Sequence, residues 1–230
     1  MVGRKQKRES SGRVGDILRG KSSNEILENL KEIYDAPPIK NGVIPPEISS
    51  SILDILYEEN SPEILCWAAA ILGRHYELME DNILAAATYI LIRNLDRPHP
   101  YVRATSLIAL GNILYDRSPV ILVPYAGRIM SMLRDDCVMV RTFALDTLSG
   151  IIDRLPEDAV NYVIPEIIRS LNNGSNAVKL SSLYLIWKIL NHYPHLAELF
   201  LPKILTVFYS SSEELKIMAG WIMVNYLSGR

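Results

Sequence analysis

The amino-acid sequence predicts an all-α protein built as a stack of about six helix pairs, an α-solenoid. Three observations carry this reading. The phrase PHPYVRATSLIALGNI at 98–113 is echoed by CVMVRTFALDTLSGI at 137–151. The echo extends along the chain with a period near 38, the mark of a supersecondary unit that stacks on copies of itself to bury its apolar face. Nowhere do polar and apolar residues alternate between turn signals, so no strands are required.

With Val102-Arg103 as reference, the pattern returns at Val140-Arg141, Val178-Lys179 and Leu215-Lys216, at intervals of 38, 38 and 37. Stepping back by 38 gives Ile64-Leu65 and Ile26-Leu27. Four residues after each reference stand Leu30, Ala68, Ser106, Ala144, Ser182 and Ala219, of which five are small. Seven and eight positions on come Ile71-Leu72, Ala109-Leu110, Thr147-Leu148, Leu185-Ile186 and Ile222-Met223. At 3.6 residues per turn these columns share one helix face. Small side chains on that face let neighbouring helices approach to the short end of the usual spacing.

Each such second helix is preceded by another apolar helical segment, at 48–60, 82–95, 120–135, 160–173 and 196–210. Pro124, Pro165 and Pro202 lie in three of these, where proline occupies a first turn or kinks the helix. Polar breaks such as NLDRPHP and SLNNGSN separate the members of a pair.

Paired helices, a proline in the first and Val-Arg followed by small and apolar residues in the second resemble the HEAT-repeat family over roughly residues 46–228, most strongly at DRPHPYVRATSLIALGNI. The resemblance implies a right-handed solenoid of about six HEAT-like pairs and an armadillo-like role in protein binding. The first unit departs from the pattern at Leu27 and Leu30. Its charged, amphipathic helix SNEILENLKEIYD suits an end cap. The expected organisation is a basic arm at 1–22, a degenerate first repeat and linker at 23–45, and the repeat solenoid at 46–230.

Bulk properties narrow the function classes. The arm carries seven Lys or Arg against Glu9 and Asp16, a net of +5, which leaves 17 basic and 24 acidic residues and a net of −7 in the body. The body therefore repels polyanions while the arm attracts them. The longest apolar stretches, such as 217–229, are shorter than a membrane span requires. The N-terminus lacks the apolar core of a secretory signal. A cytoplasmic protein is expected, with a nuclear location left open for a eukaryotic host. Cys66 and Cys137 form no CxxC motif and read as reduced thiols. GDILRGKS at 15–22 matches the phosphate-loop pattern, but no apolar strand feeds it, and nucleotide binding is not expected. The four histidines form no HExxH motif and no His-Glu pair, so no metal or other cofactor and no catalytic residue is assigned.

Two kinds of surface remain. Arg103, Arg141, Lys179 and Lys216 form a basic column suited to phosphates. The family resemblance instead implies pairing with an acid of the preceding turn, for which Asp96 and Asp135 are placed. The other surface is apolar. LKIMAGWIMVNYL at 215–227 is apolar nearly all round, with Ile217, Trp221 and Val224 opposite the packing face, as Leu180, Tyr184 and Trp187 are one unit earlier. Trp67, Ile108, Phe143, Tyr184, Trp187 and Trp221 are the candidate anchors of a partner peptide or domain, with a homodimer or another protein expected on the last helix. The expectation is a non-catalytic protein–protein interaction scaffold. The alternative is a nucleic-acid or chromatin-associated protein using the arm and the basic column.

Overall fold

The structure is a computed structural model and describes residues 22–36, 44–58, 61–115, 117, 119–210 and 212–227. Among the described residues there are eleven α-helices and no strand. They are α1 (Ser23–Asp35), α2 (Pro46–Glu58), α3 (Pro62–His75), α4 (Asp81–Asn94), α5 (Pro100–Leu114), α6 (Pro119–Ser131), α7 (Val138–Ile151), α8 (Glu157–Asn173), α9 (Asn176–His192), α10 (Ala197–Ser210) and α11 (Glu213–Leu227). Short 3₁₀ turns follow α3, α6 and α7 and precede α10. The basic arm and the GDILRGKS stretch lie outside the described residues except for Ser22.

Local chemistry explains where helices begin. Ser22 caps α1 in a reciprocal box with Glu25, whose carboxylate accepts from the Ser22 backbone N–H at 2.8 Å and from its hydroxyl at 2.9 Å. Pro46, Pro62, Pro100 and Pro119 open their helices, where the missing N–H would have had no intrahelical partner. Pro124, Pro165 and Pro202 instead sit inside α6, α8 and α10. All three are on exposed faces, so the carbonyl each leaves unbonded can reach water.

The chain forms two compact units, Met1–Ile113 and Leu114–Arg230. In the first, α1 packs along α3, α2 pairs with α3, and α2 also lies beside α4. In the second, α6 pairs with α7, α8 with α9 and α10 with α11. The first helices of these pairs adjoin in order, and so do the second helices. This is the two-layer arrangement of a repeat stack, in which each apolar face is buried by the next copy.

The small-residue column behaves as the period requires. Leu30, Ala68, Ser106, Ala144, Ser182 and Ala219 are all 0% exposed. The flanking Ile71, Leu72, Leu110, Leu148, Leu185, Ile186 and Ile222 are buried with them, each large aliphatic side chain contributing about 2 kcal/mol of burial free energy. The Ser182 hydroxyl donates to the Val178 carbonyl at 2.7 Å, whereas the Ser106 hydroxyl has no partner. The position therefore asks for small volume rather than for a hydroxyl.

Polar contacts stitch successive repeats of the second unit at about one period. The Tyr193 hydroxyl donates to the Leu155 carbonyl at 2.9 Å, and Arg154 Nη1 donates to the Arg117 carbonyl at 3.1 Å. Each such bond adds about 1 kcal/mol, less than one buried leucine, so they set register more than stability.

In the first unit the end of α3 carries a buried imidazole, His75, whose Nε2 has no hydrogen-bond partner. Burial, reinforced by Arg74, holds its pKa below the ordinary 6.5, while the carbonyls of Tyr34 and Ile33 at the end of α1 pull the other way. As pH falls below 6.5 the unfolded chain takes up this proton before the folded one, so stability present above that pH is lost with acid. Urea midpoints followed by tryptophan fluorescence are expected to fall more between pH 7.5 and 5.5 in the wild type than in His75→Gln; equal falls would contradict this.

Candidate functional site

The second helices present one face to the stack and the opposite face outward. In the first unit, Trp67 of α3 is half-buried, because Tyr34 of α1 packs edge-on against it at 5.3 Å and the Lys31 ammonium lies 5.8 Å from its ring centre. The charged first helix thus covers part of this candidate anchor. Ile108 on α5 is exposed.

In the second unit, Phe143 on α7 is half-buried. The structure brings three of the six candidates together. Tyr184 and Trp187 of α9 lie 5.4 Å apart between ring centres, and Trp187 lies 5.2 Å from Trp221 of α11. Tyr184 and Trp221 are 41% and 44% exposed, so the cluster is only partly covered. Its exposed apolar border continues through Leu180, Ile217 and Val224. Lys188 lies 6.0 Å from the Tyr184 ring centre and 5.7 Å from that of Trp187, within the range at which a ring face attracts a cation.

One feature of this face is invisible to a search for apolar anchors. Asp146 of α7 occupies the position that Ile108, Tyr184 and Trp221 hold in other repeats. Burial raises the pKa of its carboxyl, opposed by a hydrogen bond from the Ser181 side chain on α9. The same register holds Ala70, Ile108, Tyr184 and Trp221 in the matched repeats and a second acid, Glu32, in the degenerate first unit.

The basic column does different work. Arg103 Nη1 donates to the carbonyls of Arg97 and Pro98 at 2.9 and 2.8 Å. Arg141 Nη1 donates in the same way to the carbonyls of Asp135 and Asp136 at 2.6 and 3.0 Å. Through these bonds to main-chain carbonyls each guanidinium ties a second helix to the turn that feeds it. The Asp135 carboxylate accepts from the Cys137 backbone N–H at 2.9 Å. Lys179 is half-buried, and the Lys216 ammonium pairs with Glu213 at 2.9 Å.

A cleft of about 250 Å³ opens beside Arg141, lined also by Arg134, Arg169, Asp135 and Asp136. Its charge is mixed. Arg134 and Arg169 both pair with Glu166, and the bond from Arg134 is the main cause holding the Glu166 carboxyl below its ordinary range. These cations already have anionic partners.

Nothing among the described residues assembles three or more metal-ligating side chains, and no described helix is long and apolar enough to cross a membrane. The Cys66 thiol is pushed up chiefly by burial and is hydrogen-bonded by Thr105, an environment that disfavours the reactive thiolate.

The family model for non-SMC mitotic condensation complex subunit 1, Cnd1, matches residues 64–199, well over half of the chain. The chain belongs to the Cnd1 family. The matched segment begins at Ile64, the first residue of a repeat register, and runs through the whole of α5 to α9. Solved structures similar to this Cnd1-family chain include designed repeat proteins. A designed armadillo repeat protein in complex with the peptide (KR)4 matches with a TM-score of 0.70 at 14% identity, covering 93% of this chain and 98% of that one. A computationally designed armadillo repeat protein for modular peptide recognition matches at 0.66 and 15%, covering 92% and 97%. These likenesses establish the α-solenoid fold of the HEAT and armadillo type. No curated protein matches the sequence.

Proposed function

We propose that this Cnd1-family chain is a non-catalytic scaffold that docks a segment of another protein on the outward face of the second helices in its second unit. The observation that carries the reading is the partly exposed cluster of Tyr184, Trp187 and Trp221 with its apolar border. Clustered aromatics with accessible faces are the usual anchors of protein interfaces. Two comparisons support it: the family is described as a subunit of a complex, and a structural neighbour was solved with a peptide bound. The family's mitotic role favours the nuclear over the cytoplasmic location. The polyanion alternative draws less support, because Arg103 and Arg141 are committed to turn carbonyls and the body is acidic.

Trp221→Asp is the direct test. It places a charge beside Trp187 at one end of the cluster, on a side chain already 44% exposed. Affinity capture with this variant is expected to lose a partner that the wild type retains, while circular dichroism and melting stay close to wild type. Unchanged capture by a folded variant contradicts the proposal.

A further inference from the structure

We infer that α1 is a displaceable cap on α3, that acid releases it through His75, and that its release uncovers the Trp67 side chain. The device lies in the first unit and is independent of the docking reading above.

α1 is lightly held. Leu30 alone of its 13 residues is buried. The Lys31–Glu63 pair at 3.7 Å joins two exposed side chains, and such surface pairs contribute little. The remaining attachment is aromatic: Tyr34 packs edge-on against Trp67, and the Arg74 guanidinium lies 4.5 Å from the Tyr34 ring centre. A helix of this length is marginal in water, so for α1 leaving α3 and unfolding are one event.

His75, beside Arg74, is 6% exposed, and its Nε2 is shut away from any hydrogen-bond partner. A proton added there becomes a buried donor and a buried charge without an acceptor. Arg74 of α3 repels that charge. α1 brings Tyr34 and Asp35 to this end with Lys31 a turn back, α2 starts with Glu47, and the 3₁₀ turn after α3 carries Tyr76 and Glu77. The last turn of α5 has no titratable group. Asp35, Glu47 and Glu77 are all exposed, where water screens them from a buried ring. The Ile33 and Tyr34 carbonyls favour the proton, and burial outweighs them. Once α1 leaves, water can reach the ring and accept from it. The docked state therefore binds the proton more weakly than the open one, and docking that holds above pH 6.5 weakens below it.

Hydrogen exchange of the full chain, followed by mass spectrometry at several pH values from 7.5 down and corrected for the intrinsic rate, tests the device. Protection of the α1 amides is expected to fall by up to about tenfold between pH 7.5 and 5.5, the ceiling set by one group with an ordinary value of 6.5, while that of α5 holds. In His75→Gln the α1 amides should keep the same protection at both pH values. Constant α1 protection in the wild type, an equal fall in α5, or an equal fall in His75→Gln overturns the inference. Should the variant not fold, the wild-type profile still decides: a fall that sets in only at about pH 4, where carboxylates titrate, overturns it. Iodide quenching of Trp67, in a chain with Trp187→Phe and Trp221→Phe, should rise over the same pH range. Quenching that stays flat while α1 loses protection overturns the uncovering of Trp67.

Discussion

Gly73→Ala lowers the unfolding midpoint by about 4–8 °C, the equivalent of about 2 kcal/mol in a chain of this size. A β-carbon at Gly73 would stand 2.7 Å from the Ala109 Cα and 3.0 Å from its Cβ. The first of these is backbone and cannot rotate away, so α3 and α5 must separate. Two terms oppose. Alanine gains about 1 kcal/mol over glycine in helix propensity, and overpacking of this kind costs about 3 kcal/mol. The second term is larger, and separation also lengthens the bond from Asn112 Nδ2 to the Gly73 carbonyl, now 2.8 Å. Calorimetry checks the result; an unchanged or raised midpoint would mean that this contact relaxes freely.

Ala144→Leu costs about 1–3 kcal/mol by the same mechanism in the second unit. Ala144 is fully buried on α7 in the column that faces the neighbouring second helices. An isobutyl group in place of the methyl, at a position with no solvent exposure, must push α7 from α9. Urea unfolding should show a lower midpoint with the slope preserved, since the surface exposed on unfolding hardly changes. A midpoint equal to wild type would show that the column does not pack as described.

These two sites differ in how far the sequence reveals them. The column containing Ala144 is legible because five of six repeats keep a small residue at one register, and volume is a property that residue type states directly. Gly73 lies outside that column, and its need for a bare α-carbon arises only from how closely α5 crosses α3. Crossing distance depends on both helices at once, which no single register displays. The basic column is a middle case. Its positions are readable, and the bonds from Arg103 and Arg141 run to the preceding turn. The acceptors described for Arg103 and Arg141 are main-chain carbonyls, which leave no trace in residue identity.

The outward face divides in the same manner. Spacing alone places Tyr184, Trp187 and Trp221 on exposed faces of second helices, because an i, i+3 pair and its one-period partner must lie on adjacent turns. It does not show that Trp67 meets Tyr34 and Lys31, since that depends on α1 docking along α3. Asp146 escapes such a reading for a different reason: apolar spacing selects apolar residues and passes over an acid among them.

Site-specific photo-crosslinking puts the central claim, that partners meet the second helices, to the most direct trial. A benzophenone side chain would replace Tyr184 on α9 or, in separate proteins, Tyr162 on α8 and Tyr209 on α10, both first-helix residues 75% exposed. Partner adducts are expected from position 184 and none from 162 or 209. Adducts from the two first-helix positions, with none from 184, would contradict it.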